Sequence, residues 1–483
     1  MNIVTRPSAS PVPPDTTSAD PGLVQQPVEA GRFTVGSTLR HVLVMTAAGS
    51  VGLISVFFVD LLSLLYVSRL GDTALTAAVG YASQVLFLLI SVNIGLSIAI
   101  GALVSRALGA GDRARARHLA ASGLVHVAVI SGTLSLMIWP FSHDILQFFG
   151  ARGEALEVGA TYLRMTLPAS VFLGIGMAFA GILRAVGDAK RAMYVTLGGA
   201  IVTACLDPIF IFGFHLGIYG AAIVLVLSRF VLLLVGWHGA GRVHNLVGRL
   251  RLRGAMLDFA PLMTIAVPAI LTNLATPVAN IYAMRIFSQF GQETVAAFAI
   301  MDRVTPVAFG VLFALSGSVG PIMGQCFGAG LMDRVRRVFT ECLAVAIVYV
   351  VLVSGVLWLA APLIVALFGA TGETAALLRF FCTFGGGLWL FLGGIFVANA
   401  AYNNLGAPFM SALFNWGRAT LGTIPFVTIG AARFGPEGGF VGMIAGAALF
   451  GGLAVVGGYV VIARLENRMG GRDVTETGTP LNA

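Results

Sequence analysis

The stretch GALVSRALGAGDRARAR at residues 101–117 returns, altered but in register, as GPIMGQCFGAGLMDRVRR at residues 320–337. Gly101, Gly109, Gly111, Arg115 and Arg117 fall on Gly320, Gly328, Gly330, Arg334 and Arg336, a constant offset of 219. The offset recurs where Phe149-Gly150-Ala151 falls on Phe368-Gly369-Ala370, Gly153-Glu154 on Gly372-Glu373, and Gly187 on Gly406. Separate stretches sharing one offset imply a duplicated unit, and a period this long is a duplicated domain rather than a solenoid. The chain must fold as two related halves.

Both halves are membrane material. The chain is 57% hydrophobic and 10% charged, with a mean hydropathy of +0.92, whereas an average soluble domain is roughly 25% charged. About 20 apolar residues suffice for a helix to cross the hydrocarbon core. Twelve such segments lie near 42–67, 78–104, 120–141, 160–183, 193–213, 217–239, 258–287, 296–325, 338–361, 378–401, 408–430 and 438–463. The alternation of an outer-membrane barrel is absent. The expected fold is an all-α integral membrane protein of twelve transmembrane helices. Because each copy has six crossings, an even number, the halves are parallel repeats related by a pseudo-twofold axis along the membrane normal.

Composition places the other boundaries. Residues 1–40, rich in Pro, Ser and Thr, read as a disordered cytoplasmic tail; 41–240 form the N-terminal lobe, 241–257 a cytoplasmic linker, 258–463 the C-terminal lobe and 464–483 a second tail. The first apolar run lacks the cleavage site of a signal peptide and is long enough to span. Cys205, Cys326, Cys342 and Cys382 lie in or beside apolar segments without metal-type spacing and read as small core residues. The net charge of +8 gathers in alternate loops, with Arg113, Arg115 and Arg117 after the second span, Lys190 and Arg191 after the fourth, and Arg334, Arg336 and Arg337 after the eighth. The positive-inside rule then puts both termini and the even-numbered loops in the cytoplasm, and the protein in the plasma membrane. Charge distributed in this way answers to lipid, not to nucleic acid.

Charges within spans are costly and are functional candidates by default. Asp60, in VFFVDLLSLL, and Asp207, in TACLDPIFIFG, lie deep in the first and fifth spans; a carboxylate so placed can exchange a proton or hold a small cation. The repeat sets Asp60 opposite Asn280 and gives Asp207 no acidic counterpart near Ile424 and Pro425. Asn273 and Asn280 can hydrogen-bond either a substrate or a neighbouring helix. Asp302 and Arg303 can pair locally, and Arg418, some ten residues into its span, is a cavity candidate, whereas Arg229 reads as a snorkelling side chain. Pro208, Pro268 and Pro425 are candidate kinks, and the glycines of GGGLWLFLGG favour close helix packing over phosphate binding. There is no HExxH, CxxC or Walker A sequence, so the residues suggest neither an enzyme nor ATP-driven transport, and no cofactor or metal.

Taken in order, FFVDLLSLLYVSRLGDTALTAA, SRALGAGDRARAR, LRAVGDAKRAM, LDPIFIFG and GQCFGAGLMDRVRR resemble the multidrug and toxic compound extrusion (MATE) family over nearly the whole chain beyond the tail. The resemblance implies two six-helix lobes forming a V and antiport of organic cations or other drugs against H⁺ or Na⁺. Asp60 and Asp207 match the acids of the first and fifth helices in a bacterial and archaeal branch, which implies ion coupling in the first lobe and favours H⁺. Thr203 stands where that branch commonly has an asparagine, and the proline usual early in the first helix is missing. The expected protein is a cation-coupled drug exporter, with organic cations as the expected substrates, working as a monomer. The rivals are a flippase for a lipid-linked precursor and a membrane-embedded binding protein without turnover.

Overall fold

The computed structural model describes residues 31–68, 73–248 and 252–476. Among these residues the chain is helical almost throughout, without strands. In the first half, α1 (Thr38–Ser68), α2 (Thr73–Gly109) and α3 (Arg113–Ile138) are followed by the short α4 (Ser142–Phe148). The next crossing is made of α5 (Glu154–Thr166) and α6 (Ser170–Val186), joined by a 3₁₀ turn at Leu167–Ala169 that contains Pro168. α7 (Ala189–Pro208) and α8 (Gly217–Trp237) complete the half. The second half contains α9 (Leu252–Phe287), α10 (Gln292–Gly328), α11 (Met332–Leu367), α12 (Gly372–Leu405), α13 (Pro408–Gly417) and α14 (Ile424–Glu476).

Eleven continuous helical stretches are long and apolar enough to cross a membrane, but the last, Pro408–Met469, runs for 62 residues. It folds back on itself. Phe434 (φ −133°, ψ 17°) and Gly435 (φ 66°, ψ −158°) leave helical geometry, and beyond them the glycines pair antiparallel. A Cβ on Gly438 would meet the carbonyl of Gly430, one on Gly442 that of Phe426, and one on Gly446 that of Gly422. The stretch is a hairpin of two spans packed backbone to backbone, so the described residues make twelve crossings.

Four of the six glycine pairs shared between the halves sit where the backbone must turn left-handed. Gly111 and Gly330 have φ of 76° and 74°, and Gly187 and Gly406, at the ends of α6 and α12, have φ of 91° and 89°. Only glycine takes such angles without steric cost, so the repeated phrases are matching stop signals. The glycines of GGGLWLFLGG pack as expected: a Cβ on Gly386 would strike Ser354, and one on Gly394 would press on Val455. Cys326, Cys342 and Cys382 are buried, Cys205 is exposed, and all are free thiols.

Order extends further at both ends than tail composition indicated. Residues 1–30 lie outside the described residues, but Phe33 is buried to 1% exposure, and α1 begins at Thr38. A single aromatic anchors a stretch whose composition alone reads as disordered. At the other end α14 runs through 464–476, and α9 begins at Leu252, inside the stretch expected as linker. Pro208 opens a π-helical turn at Ile209–Gly213, while α9 runs unbroken through Pro268.

The loop before α7 carries a stability device. Asp188 accepts the backbone N–H of Arg191 (3.0 Å), its guanidinium (2.6 Å) and the His244 ring (2.8 Å). Burial alone would raise its pKa, but these donors hold it down at about 2. A depressed carboxylate stabilises the fold above its unfolded pKa and loses that contribution as pH falls through the folded value. Asp188→Asn is therefore expected to cost about 2 kcal/mol at neutral pH. Denaturation of the two proteins should show the gap closing as pH falls from about 4 to about 2.

Candidate functional site

In the first lobe, α1, α5, α7 and α8 bring four titratable side chains together. Asp60 of α1 interacts electrostatically with Arg229 of α8 and Asp207 of α7, and Tyr162 of α5 lies within range of all three. The Ser63 hydroxyl, one turn after Asp60, donates to Asp207 Oδ2. Asp207 is buried to 2% exposure, while Asp60 is exposed. Arg229 is buried to 6%, and its Nη1 donates to the Thr166 carbonyl at 3.3 Å. It does not snorkel: it lies buried midway along α8, a helix apolar on all sides, and its charge is within electrostatic range of Asp60. Thr203, one turn before Asp207, turns its hydroxyl to the Gly199 carbonyl (3.1 Å).

The second lobe carries a different polar group. Asn273, Thr276 and Asn280 recur on α9 at i, i+3 and i+7, one stripe of the helix. Arg418 reaches the middle of that stripe, donating from Nη2 to Thr276 Oγ1 at 3.0 Å. Arg418 is buried to 6%, its Nε has no hydrogen-bond partner, and it makes no ion pair among the described residues. Asn273 Nδ2 donates to the Ala269 carbonyl (2.8 Å), and Asn280 is half-buried. Asp302 and Arg303 sit apart from this stripe, exposed on α10 and interacting with each other. Among the described residues no cluster of His, Cys, Asp and Glu has the makings of a metal site.

The lobes close on each other at the end that carries the arginine-rich loops. A Cβ on Gly109 of α2 would collide with the backbone of Gln325 of α10, and one on Gly328 with the backbone of Arg106. The two repeated phrases are thus each other's contact across the pseudo-twofold axis. Arg106 donates from Nε to the Asn404 carbonyl (2.8 Å) and from Nη2 to the Asn403 carbonyl (2.9 Å). Gln325 donates to the Ala185 carbonyl at 2.6 Å and accepts the Phe33 N–H at 2.8 Å. Asp258 of α9 pairs with Arg115 (2.8 Å) and His118 (3.0 Å) of α3. Elsewhere α1 exposes Phe58 and Leu61, and α10 exposes Val307.

Sequence reasoning missed Ser63, Tyr162, Arg229 and Thr276 as members of these groups. Arg229 had a readable signal, a permanent charge near the centre of an apolar run. The serine, tyrosine and threonine had none, because such residues are common in spans.

Two parallel bundles of six crossings, in contact at one end and polar within, are the architecture of a secondary transporter. The chain belongs to the MatE family, whose model matches residues 50–209 and again 268–429. The two matches fall on the two copies of the repeat. A FAD transporter of Shewanella oneidensis is 27% identical, over 83% of this chain and 89% of its own length. A probable multidrug resistance protein of Thermotoga maritima, NorM, is 24% identical over 76% of this chain and 81% of its own. Among solved structures, the outward-facing conformation of a multidrug resistance MATE family transporter superposes with a TM-score of 0.85 at 20% identity, over 91% of this chain and 99% of the other.

Proposed function

We propose that the chain exports drugs or similar small organic molecules by antiport against cations, H⁺ in preference to Na⁺, through Asp60 and Asp207. The observation that carries this reading is the pair of acids inside the first lobe, Asp207 within electrostatic range of Asp60 and Asp60 within range of the Arg229 guanidinium. Two carboxylates and one arginine leave a net charge of −1, which one proton neutralises. A sodium ion would need a shell of oxygen ligands, and here it would face a permanent cation with five N–H donors and no lone pair. Bare carboxylate against hydrocarbon is costly, so exposed Asp60 opens on the cleft between the lobes, where substrate and water arrive. Protonation then alters the balance of outward- and inward-open states through differential affinity for the two. On this reading the arginine-rich end faces the cytoplasm, the lobes divide near 241–257, and the protein works as a monomer in the plasma membrane.

One observation favours a second substrate class. Arg418, charged and without an acid, fits a phosphate or carboxylate better than an organic cation, and the Shewanella relative handles FAD. In proteoliposomes, an imposed pH gradient is expected to drive export of a cationic dye and an imposed Na⁺ gradient is not. Export of FAD in place of dye would assign the anionic class, and Na⁺-driven export at constant pH would overturn the coupling assignment.

A further inference from the structure

At the closed end, the start of α1 and the turn leading into it line an open cavity of about 320 Å³, formed by Arg32, Gly36, Ser37, Arg40, His41 and Val44. Arg32 and Arg40 are exposed and have no acidic partner among the described residues, unlike Arg115, Arg191 and Arg337, whose ion pairs are made. His41 is held to the Val35 carbonyl (2.9 Å), which fixes the wall of the cavity. The surroundings are apolar and bare: Val35, Leu39, Leu43 and Val44 on the same turns are exposed. Two free guanidiniums above a strip of exposed aliphatic side chains, at the level where a spanning helix enters the bilayer, fit a phosphate with acyl chains beneath it.

We propose that this cavity is a binding site for the headgroup of an anionic phospholipid. The site joins the two halves. Phe33, buried beside it, receives hydrogen bonds on its carbonyl from Arg334 of α11 (3.0 Å), as does Gly36 (3.0 Å). A Cβ on Gly187 of α6 would touch Arg32 and Phe33. One wall therefore rests on both lobes and the other is α1, so a headgroup seated here binds the arrangement in which this end is closed and favours that state.

The test uses the full chain and the double variant Arg32→Gln/Arg40→Gln, purified and examined by native mass spectrometry after exchange into mixed phosphatidylglycerol and phosphatidylcholine. The parent should retain phosphatidylglycerol over phosphatidylcholine, and the variant should lose that preference by roughly five-fold for each arginine removed. In nanodiscs the parent's melting temperature should rise with phosphatidylglycerol content and the variant's should not, while the two melt alike in pure phosphatidylcholine. Equal retention of phosphatidylglycerol by both proteins overturns the proposal. So does displacement of the lipid by millimolar inorganic phosphate, which would mark a site for the free anion. A variant that melts lower in phosphatidylcholine would show that the arginines serve the fold instead.

Discussion

Asp60→Asn and Asp207→Asn are each expected to stop export driven by a pH gradient while leaving a folded protein that still binds substrate. Asparagine keeps the shape of the carboxylate and removes the protonation step. The loss should be on the order of tenfold or more, since about 1.4 kcal/mol of lost differential affinity is already tenfold in a population ratio. The two variants need not fail alike. Asp207 is buried and takes the Ser63 hydroxyl, whereas Asp60 is exposed beside Arg229. Either substitution leaves one acid and one arginine and so a neutral cluster, but Asp60→Asn also removes the group nearest to solvent, so its defect should lie in proton entry. Dye export in proteoliposomes at a series of external pH values checks both. Parent-like export by both variants would remove the acids from the mechanism.

Arg229→Leu is expected to be the most destabilising single change in the membrane interior. Removing the cation leaves Asp60 without its compensating charge; because Asp60 is exposed, the cost should fall below the figure of about 3–5 kcal/mol for a broken buried pair. The Thr166 carbonyl also loses its donor. A partial rescue follows from the same physics: in an Asp60→Asn background the arginine has one less acid to balance, so the added cost of Arg229→Leu should shrink. Chemical denaturation of the four proteins of this cycle gives the coupling energy. Additive losses would mean that Arg229 and Asp60 do not share a charge balance.

Much of the architecture was legible because bilayer constraints act locally. Twelve apolar runs and the offset of 219 defined the halves, and the glycines sharing that offset proved to be left-handed stops and points of inter-lobe contact. The acids of the first lobe were visible as rare residues in hydrocarbon. Their partners were not, because Arg229 on α8, which interacts electrostatically with Asp60, is far from it in sequence, and only tertiary packing brings the two into range. The same blindness made Arg229 look like a snorkelling residue. Phe33 was lost in a tail whose composition indicates disorder, since one aromatic among prolines and serines carries no periodicity. The stripe of Asn273, Thr276 and Asn280 has the helical period, but its meeting with Arg418 again depends on packing.

The inequality of the lobes now has a physical form. The first buries a guanidinium within electrostatic range of a carboxylate, Asp60, and the second buries a guanidinium that makes no ion pair among the described residues. The first arrangement suits exchange of a proton, and the second suits recognition of a substrate group.

The most direct measurement is proton release on substrate binding. Purified protein in weakly buffered detergent, titrated with a transported cationic dye, should release protons into solution, followed with a pH indicator. The release should vanish in the Asp60→Asn/Asp207→Asn double variant while dye binding persists. Dye binding without proton release in the parent, or equal release from the double variant, would contradict exchange at the acid pair.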